Sequence, residues 1–256
     1  MEKINTDIVI SINVHENTNF LMKQIENIHS NIIGEYSIVL NCNSFMFEKL
    51  RDIRLPERVY INPEIINKKR FHGSLTKGIV SNMGFSLEKF AFKYFLILSS
   101  RTFFYKTLSV NILCEKQQIF PNLGWFHNNV RKLGRKFIAN KLNGDKWRWP
   151  SISQSKLAKY YINKGHPLYW SGHEGLSFHF NVCKTIVKFL NEHEELREDL
   201  YNFNDCVEEV SLQTISHNEV DITNSKHYGF IDIGNGPFTF NTPPDNGQYV
   251  YKIWRV

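Results

Sequence analysis

"DIVISIN", residues 7–13, decides the architecture. Ile8, Val9, Ile10 and Ile12 make a β-branched apolar run with no alternation of polar and apolar positions. A strand with one wet face would alternate, so this run reads as a strand covered on both faces, the habit of parallel sheets. Beyond it, Asn17 or Thr18 can cap a helix, and Leu21, Ile25, Ile28 and Ile32 recur as one apolar stripe. "YSIVLNCN" (36–43) repeats the buried-strand pattern, "FMFEKLRDI" (45–53) is a short amphipathic helix, and "RVYINP" (58–63) is a strand stopped by Pro63. A helix through "LTKGIVSNMGFSLEKF" (75–90) leads into the strand "KYFLILSS" (93–100). The alternation predicts an α/β fold: strands near 7–13, 36–42, 58–62 and 94–99 in one open, mostly parallel sheet with helices on both faces.

Ligands of such sheets bind at the carboxyl ends of the strands. Here those ends carry His15, Glu16 and Asn17, then Asn41 and Asn43, then Ser99, Ser100 and Arg101. Loops are polar in any protein, so each residue taken singly is weak evidence. The turn after the fourth strand offers serines, an arginine and a threonine, with no carboxylate to hold a divalent ion.

The 256 residues, 42% of them hydrophobic and 14% aromatic, are enough for one domain with a substantial core and elaborate loops. A formal charge of +6 favours polyanionic partners: nucleotide diphosphates, nucleic acid or an anionic membrane surface. Cys42, Cys114, Cys183 and Cys206 are scattered without a CxxC pair, which suits reduced packing residues in a cytoplasmic compartment. The first residues read as a strand rather than a signal peptide, and no stretch suits a membrane span, so work at a membrane would be done from its surface. The basic segment at 131–148, with Trp147 and Trp149 close by, fits a nucleic-acid surface, a sugar or phosphate groove, or a solvated face. "GNG" in "DIGNGPFTFNTPPDNGQ" lacks the strand-to-helix setting of a dinucleotide loop, and the stretch reads as turn-rich.

Two further stretches carry polar groups of interest. "YWSGHEGLSFHFNVCKTIVKFLNEHEEL" (169–196) joins a polar turn presenting His173 and Glu174 to a helix with Val182, Ile186, Phe189 and Leu190 on its apolar face. His173 and His179 are six residues apart, not the i, i+4 spacing that aligns two imidazoles on a metal. "DCVEEVSLQTI" (205–215) sets Glu208 and Glu209 at a helix start, where acids are common with or without catalytic duty.

Taken in order, "VISINVHENTNFLMKQIENI", "SIVLNCNSF", "FHGSLTKGIVSN", "YFLILSSRTFF", "YWSGHEGLSF" and "VEEVSLQTI" resemble the successive blocks of the core-2/I-branching N-acetylglucosaminyltransferase and peptide-xylosyltransferase family. The likeness spans residues 7–215 in short, degenerate blocks. It implies a GT-A-type, Rossmann-like fold working as a glycosyltransferase without the acidic metal motif. His72, Gly73 and Ser74 fall near the family's W-G-G-x-S block, and Leu98 with Ser99 on the start of its L-S-G-x-D turn. The aspartate of that turn falls on Thr102 and that of the HxD block on Asn43, as in a distant bacterial or viral branch. The second acid of the P-D/E-E block, the family's general base, falls on Glu209, with Val207 in place of the proline.

The resemblance implies an inverting transferase that moves a sugar from a nucleotide diphosphate donor, a UDP-sugar first among them, to a glycan hydroxyl, with neither metal nor cofactor. Residues 1–110 would form the nucleotide-sugar-binding half of one domain and 111–256 the acceptor-binding and catalytic half. Glu209, with Glu208 beside it, would be catalytic; His173, Glu174 and Trp170, with Trp147 a further stacking candidate, would hold the acceptor. His15, Asn17, Asn43, His72, Gly73, Ser74, Asn82, Ser99, Ser100, Arg101, Lys252 and Arg255 would line the donor site, with Lys226 a further cation. Two other classes stay open: a glycan-binding module of the same fold without catalysis, and a nucleic-acid-binding protein, which would leave the polar strand ends unexplained.

Overall fold

The computed structural model describes residues 2–15, 17–111, 131–133, 150–170, 174–220, 228–230, 233–238 and 250–253. Six strands form its main sheet: β1 (Ile8–Asn13), β2 (Tyr36–Asn41), β3 (Val59–Asn62), β4 (Tyr94–Ser99), β5 (Leu176–His179) and β6 (Tyr228–Phe230). Their spatial order is β3-β2-β1-β4-β5-β6. The first four are parallel, and β5 and β6 are antiparallel additions beyond β4.

The absence of alternation in "DIVISIN" has its cause in the two layers of helices. Ile8, Ile10, Ile12, Ile38, Leu40, Leu96 and Leu98 face α1 (Thr18–Asn31) and α2 (Ser44–Arg51), in a core completed by Leu21, Ile25, Ile28, Met46 and Leu50. Val9, Val39, Phe95 and Ile97 face the other way, into a core shared by α3 (Ser74–Lys89), α4 (Lys156–Asn163), α5 (Phe180–Glu192), α6 (Glu194–Asn202) and α7 (Ser211–Glu219). The apolar face expected from Val182, Ile186, Phe189 and Leu190 is buried as a unit on α5.

The four expected parallel strands and the helix at 75–90 all form, within a residue of the expected bounds. Elsewhere the sequence reading needs correction. "LYW" (168–170) and "LSFH" (176–179) are strands where a turn leading straight into a helix was expected; β5 takes its hydrogen bonds from β4, a partner some eighty residues earlier. "IGNGPF" (233–238), read as turn-rich, is a strand parallel to Val250–Ile253, with an irregularity in register between Asn235 and Phe238. Val250–Ile253 in turn pairs antiparallel with Thr102–Phe104. The stripe on α1 ends before Ile32, which is buried in a short strand. Among the described residues no helix is long and apolar enough to cross a membrane.

Candidate functional site

In register across the sheet, the parallel strands end on Asn62, Asn41, Asn13 and Ser99. The chain runs from β1 toward β2 and β3 on one side and returns to β4 on the other, so the sheet's switch point lies between β1 and β4. That is where an open α/β sheet leaves a crevice at the carboxyl ends. His15 is exposed just past β1, and Ser99 to Arg101 follow β4. Glu174 joins them because β5 is antiparallel: the N–H of its neighbour Gly175 donates to Ile97 O at 2.7 Å, and a φ of 83° there requires a glycine. Backbone pairing also sets Lys252 opposite Thr102, beside the same turn.

The turn after β4 is held from within. Ser99 N–H donates to Thr102 Oγ1 (3.2 Å), the two hydroxyls lie 3.1 Å apart, and Arg101 N–H donates to Ser99 Oγ (3.2 Å). Buried Gln24 on α1 clamps it from below, its amide donating to Ser99 O (2.7 Å) and Thr102 O (2.9 Å). Ser99 therefore shapes the turn, Ser100 is buried within it, and Ser99 and Arg101 are both partly exposed.

Several expected donor contacts do structural work. Asn17 Oδ1 caps α1 by accepting from Phe20 N–H (2.9 Å), and Asn43 Oδ1 caps α2 through Met46 N–H (2.8 Å). Asn82 is fully enclosed: its amide donates to Ser11 Oγ (3.0 Å) and Val39 O (3.2 Å), and its carbonyl accepts from Asn62 (3.0 Å). It rivets α3 to the sheet and has no surface for a donor. His72 Nδ1 accepts from Ser74 N–H (3.0 Å) while Ser74 Oγ accepts from Lys69 N–H (2.9 Å), closing the loop that enters α3. Burial first, and Lys69 second, hold the His72 imidazole below the usual histidine range, which suits an acceptor Nδ1. Gly73 is required by packing, since a Cβ there would lie 1.8 Å from Leu200 O.

Lys68 escaped the sequence reading. Its Nζ donates to Asn41 O (2.9 Å) and Ile66 O (3.3 Å), tying the loop after β3 over the end of β2. Burial lowers its pKa to about 8 against a smaller opposing effect of Cys42, whose thiol burial raises to about 11. Asn13 donates to Leu75 O (2.9 Å), and its Oδ1 stands where a side chain at Gly78 would begin. The usable sequence signal was "KKR" at 68–70, a basic run between a strand and a helix.

Of the acids at 205–209, Glu208 and Glu209 sit on a 3₁₀ turn, Val207–Glu209, that packs on α3 and precedes α7, and Asp205 lies just before it. Phe203 O accepts from Gly73 N–H (2.8 Å), which brings this segment to the start of α3. Asp205 is buried, accepting from Ser151 Oγ and from Cys206 N–H. Glu208 points inward, 1% exposed, and bonds the Cys206 thiol, whose pKa is raised by burial first and then by Glu208 and Glu209. Glu209 is the partly exposed acid of the pair. Among the described residues no three His, Cys, Asp or Glu side chains converge as a metal ligand set.

His173 and Arg255, like Trp147 and Lys226, lie outside the described residues, and Trp170 and Lys252 are described by backbone alone. A broad depression of about 540 Å³ occupies the opposite edge of the sheet, lined by His29, Gly34, Glu35, Tyr36, Pro56 and Arg58. Its Arg58 is already bonded to Gly34 O (2.9 Å) and Glu35 (3.5 Å), and it lies at the strands' amino ends. The carboxyl edge, where ligands of open parallel sheets bind, is therefore the better candidate. The chain matches no protein-family model and no curated protein.

Proposed function

We propose that the chain is an inverting glycosyltransferase of GT-A type that moves a sugar from a nucleotide diphosphate donor to a glycan hydroxyl. The observation that carries this reading is the switch point of the sheet between β1 and β4, with His15, Arg101 and Glu174 on the segments at that carboxyl edge and an antiparallel strand beside β4. The division of the acid pair adds to it. A general base must reach its substrate, and Glu209 has open surface where Glu208 has none. In the proposed displacement Glu209 takes the proton of the acceptor hydroxyl. The acceptor oxygen bonds the anomeric carbon as the bond to the diphosphate breaks, and the electron pair leaves on the diphosphate. Arg101, with Lys252 and Arg255, would meet that charge in place of a metal.

A non-catalytic glycan-binding module of the same fold is the second reading, favoured by how completely the Ser99 and Thr102 hydroxyls and Asn43 are engaged within the protein. Thermal-shift titration with nucleotides and nucleotide sugars, with manganese and with a chelator, followed by transfer assays, separates the two. We expect a nucleoside diphosphate to stabilise the protein in either condition and Glu209→Gln to lower turnover by ~10²–10⁴-fold with donor binding kept. Glu208→Gln should act chiefly on stability. Stabilisation by glycans alone, with no response to any nucleotide, would overturn the transferase.

A further inference from the structure

Among the described residues seven large apolar side chains are conspicuously exposed, and three stand on two adjoining segments of the carboxyl edge: Phe45 at 61%, Ile65 at 44% and Phe71 at 45%. Phe45 is in the first turn of α2, and Ile65 and Phe71 are in the loop from β3 to α3. The segments are bonded to each other: Ser44 N–H and Oγ both donate to Asn67 Oδ1 at 3.1 Å, and Ile66 N–H donates to Cys42 O at 3.0 Å. Lys68 and Ser74 fix the rest of the loop from inside. Phe71 has a φ of 51°, a left-handed conformation costly for a bulky residue, maintained at a residue left 45% exposed.

Cations accompany the rings. Lys49 Nζ lies 4.1 Å from the centre of the Phe45 ring, and the Arg70 guanidinium 4.5 Å from that of Phe71, with Lys69 exposed alongside. The acids of these segments are already engaged: Glu48 with Arg51 at 2.8 Å, and Glu64 with Ser81 at 2.5 Å and Lys77 at 3.8 Å. Among the described residues Lys49, Lys69 and Arg70 form no ion pair.

Apolar tips with uncompensated cations at their bases suit an interface that is apolar inside and anionic at its surface. We propose that Phe45, Ile65 and Phe71, with Lys49, Lys69 and Arg70, form a docking surface for an anionic lipid bilayer. The rings and Ile65 enter the boundary between headgroups and acyl chains, and the cations meet lipid phosphates. Docking turns the carboxyl edge toward the bilayer. It stands apart from sugar transfer, because it needs neither donor nor Glu209.

The test is co-sedimentation of the full chain with vesicles of phosphatidylcholine, alone or mixed with phosphatidylglycerol. We expect binding to the mixed vesicles, weakened by salt, and little to phosphatidylcholine alone. Phe45→Ser with Phe71→Asn should weaken binding by at least ~10-fold while the melting temperature holds, since both side chains are exposed and Asn tolerates the left-handed backbone. Phe45→Leu should retain most of it, and Ile33→Ser, on an exposed apolar residue away from these segments, should change nothing. Failure to bind the anionic vesicles at low salt overturns the proposal. So does wild-type binding by the doubly substituted chain, which would reduce the interaction to diffuse charge. Binding lost equally with Ile33→Ser would assign it to another surface.

Discussion

Asn82 is wholly taken out of water and Lys68 partly so, and they differ in what burial does to them. Asn82 is neutral, and each of its bonds replaces one it would make with water. Lys68 carries a charge under a loop, bonded only to carbonyl oxygens, so its ammonium is disfavoured and its pKa falls from 10.5 to about 8. Between those two values the folded chain holds Lys68 neutral while the unfolded chain still binds the proton, and stability contributed by this residue rises with pH. Below about pH 8 both states are protonated, and the penalty is felt in full. Cys42, raised from 9.0 to about 11, acts in the opposite sense above pH 9, so the comparison must hold it constant. Lys68→Met keeps the length and removes the titration. The difference in unfolding free energy between wild type and this variant should move in favour of wild type by ~1–3 kcal/mol from pH 7.5 to 10, measured by urea denaturation. A flat difference would show that water reaches the ammonium.

At the scale of elements, α3 joins most of these features: it follows the basic loop, fixes the sheet through Asn82 and receives the acidic turn. Its glycines separate packing from propensity. Gly73, before its first turn, has Leu200 O where a Cβ would go, whereas Gly84 has nothing within 4 Å of that point. Gly84→Ala should therefore stabilise by ~0.5–1 kcal/mol through helix propensity, and Gly73→Ala should destabilise, by more than that, because backbone must move. Thermal unfolding of the two variants checks the sign of each. The same helix shows what was legible beforehand. Its bounds followed from its place between two unbroken apolar runs, as did those of β1, β2 and β4, because residues covered on both faces need no distant partner to identify them. β5 was not legible: "LSFH" is short, and what makes it a strand is β4 beside it. At Asn17 the capping role was readable from its own neighbourhood. At Asn82 nothing local revealed that Ser11, Val39 and Asn62 would converge on it. Glu208 and Glu209 look alike in sequence, and only the 3₁₀ turn divides them into an inner and an outer acid.

For the whole molecule, the division at residue 110 separates two kinds of information but not two folding units. β5 and β6 extend the sheet that the first hundred residues begin, and β5 takes its hydrogen bonds from β4. The core on the α3 face needs Leu157, Tyr161, Val182, Ile186, Leu190, Leu212 and Ile215 from the second half to cover Val9, Val39, Phe95 and Ile97. Without them, a fragment of residues 1–110 would expose one apolar side of a parallel sheet and the open edge of β4 to water, the combination that leads to aggregation. The α1 and α2 face would remain, which is one layer of helices on a sheet that requires two. The intact chain should unfold in a single denaturant transition reported alike by near-ultraviolet and far-ultraviolet circular dichroism. The 1–110 fragment should show no cooperative transition and should self-associate, and addition of residues 111–256 as a second chain should restore cooperativity if the two halves meet before aggregation. A soluble fragment with a sharp transition of its own would show that residues 1–110 are an autonomous unit to which the second half was added.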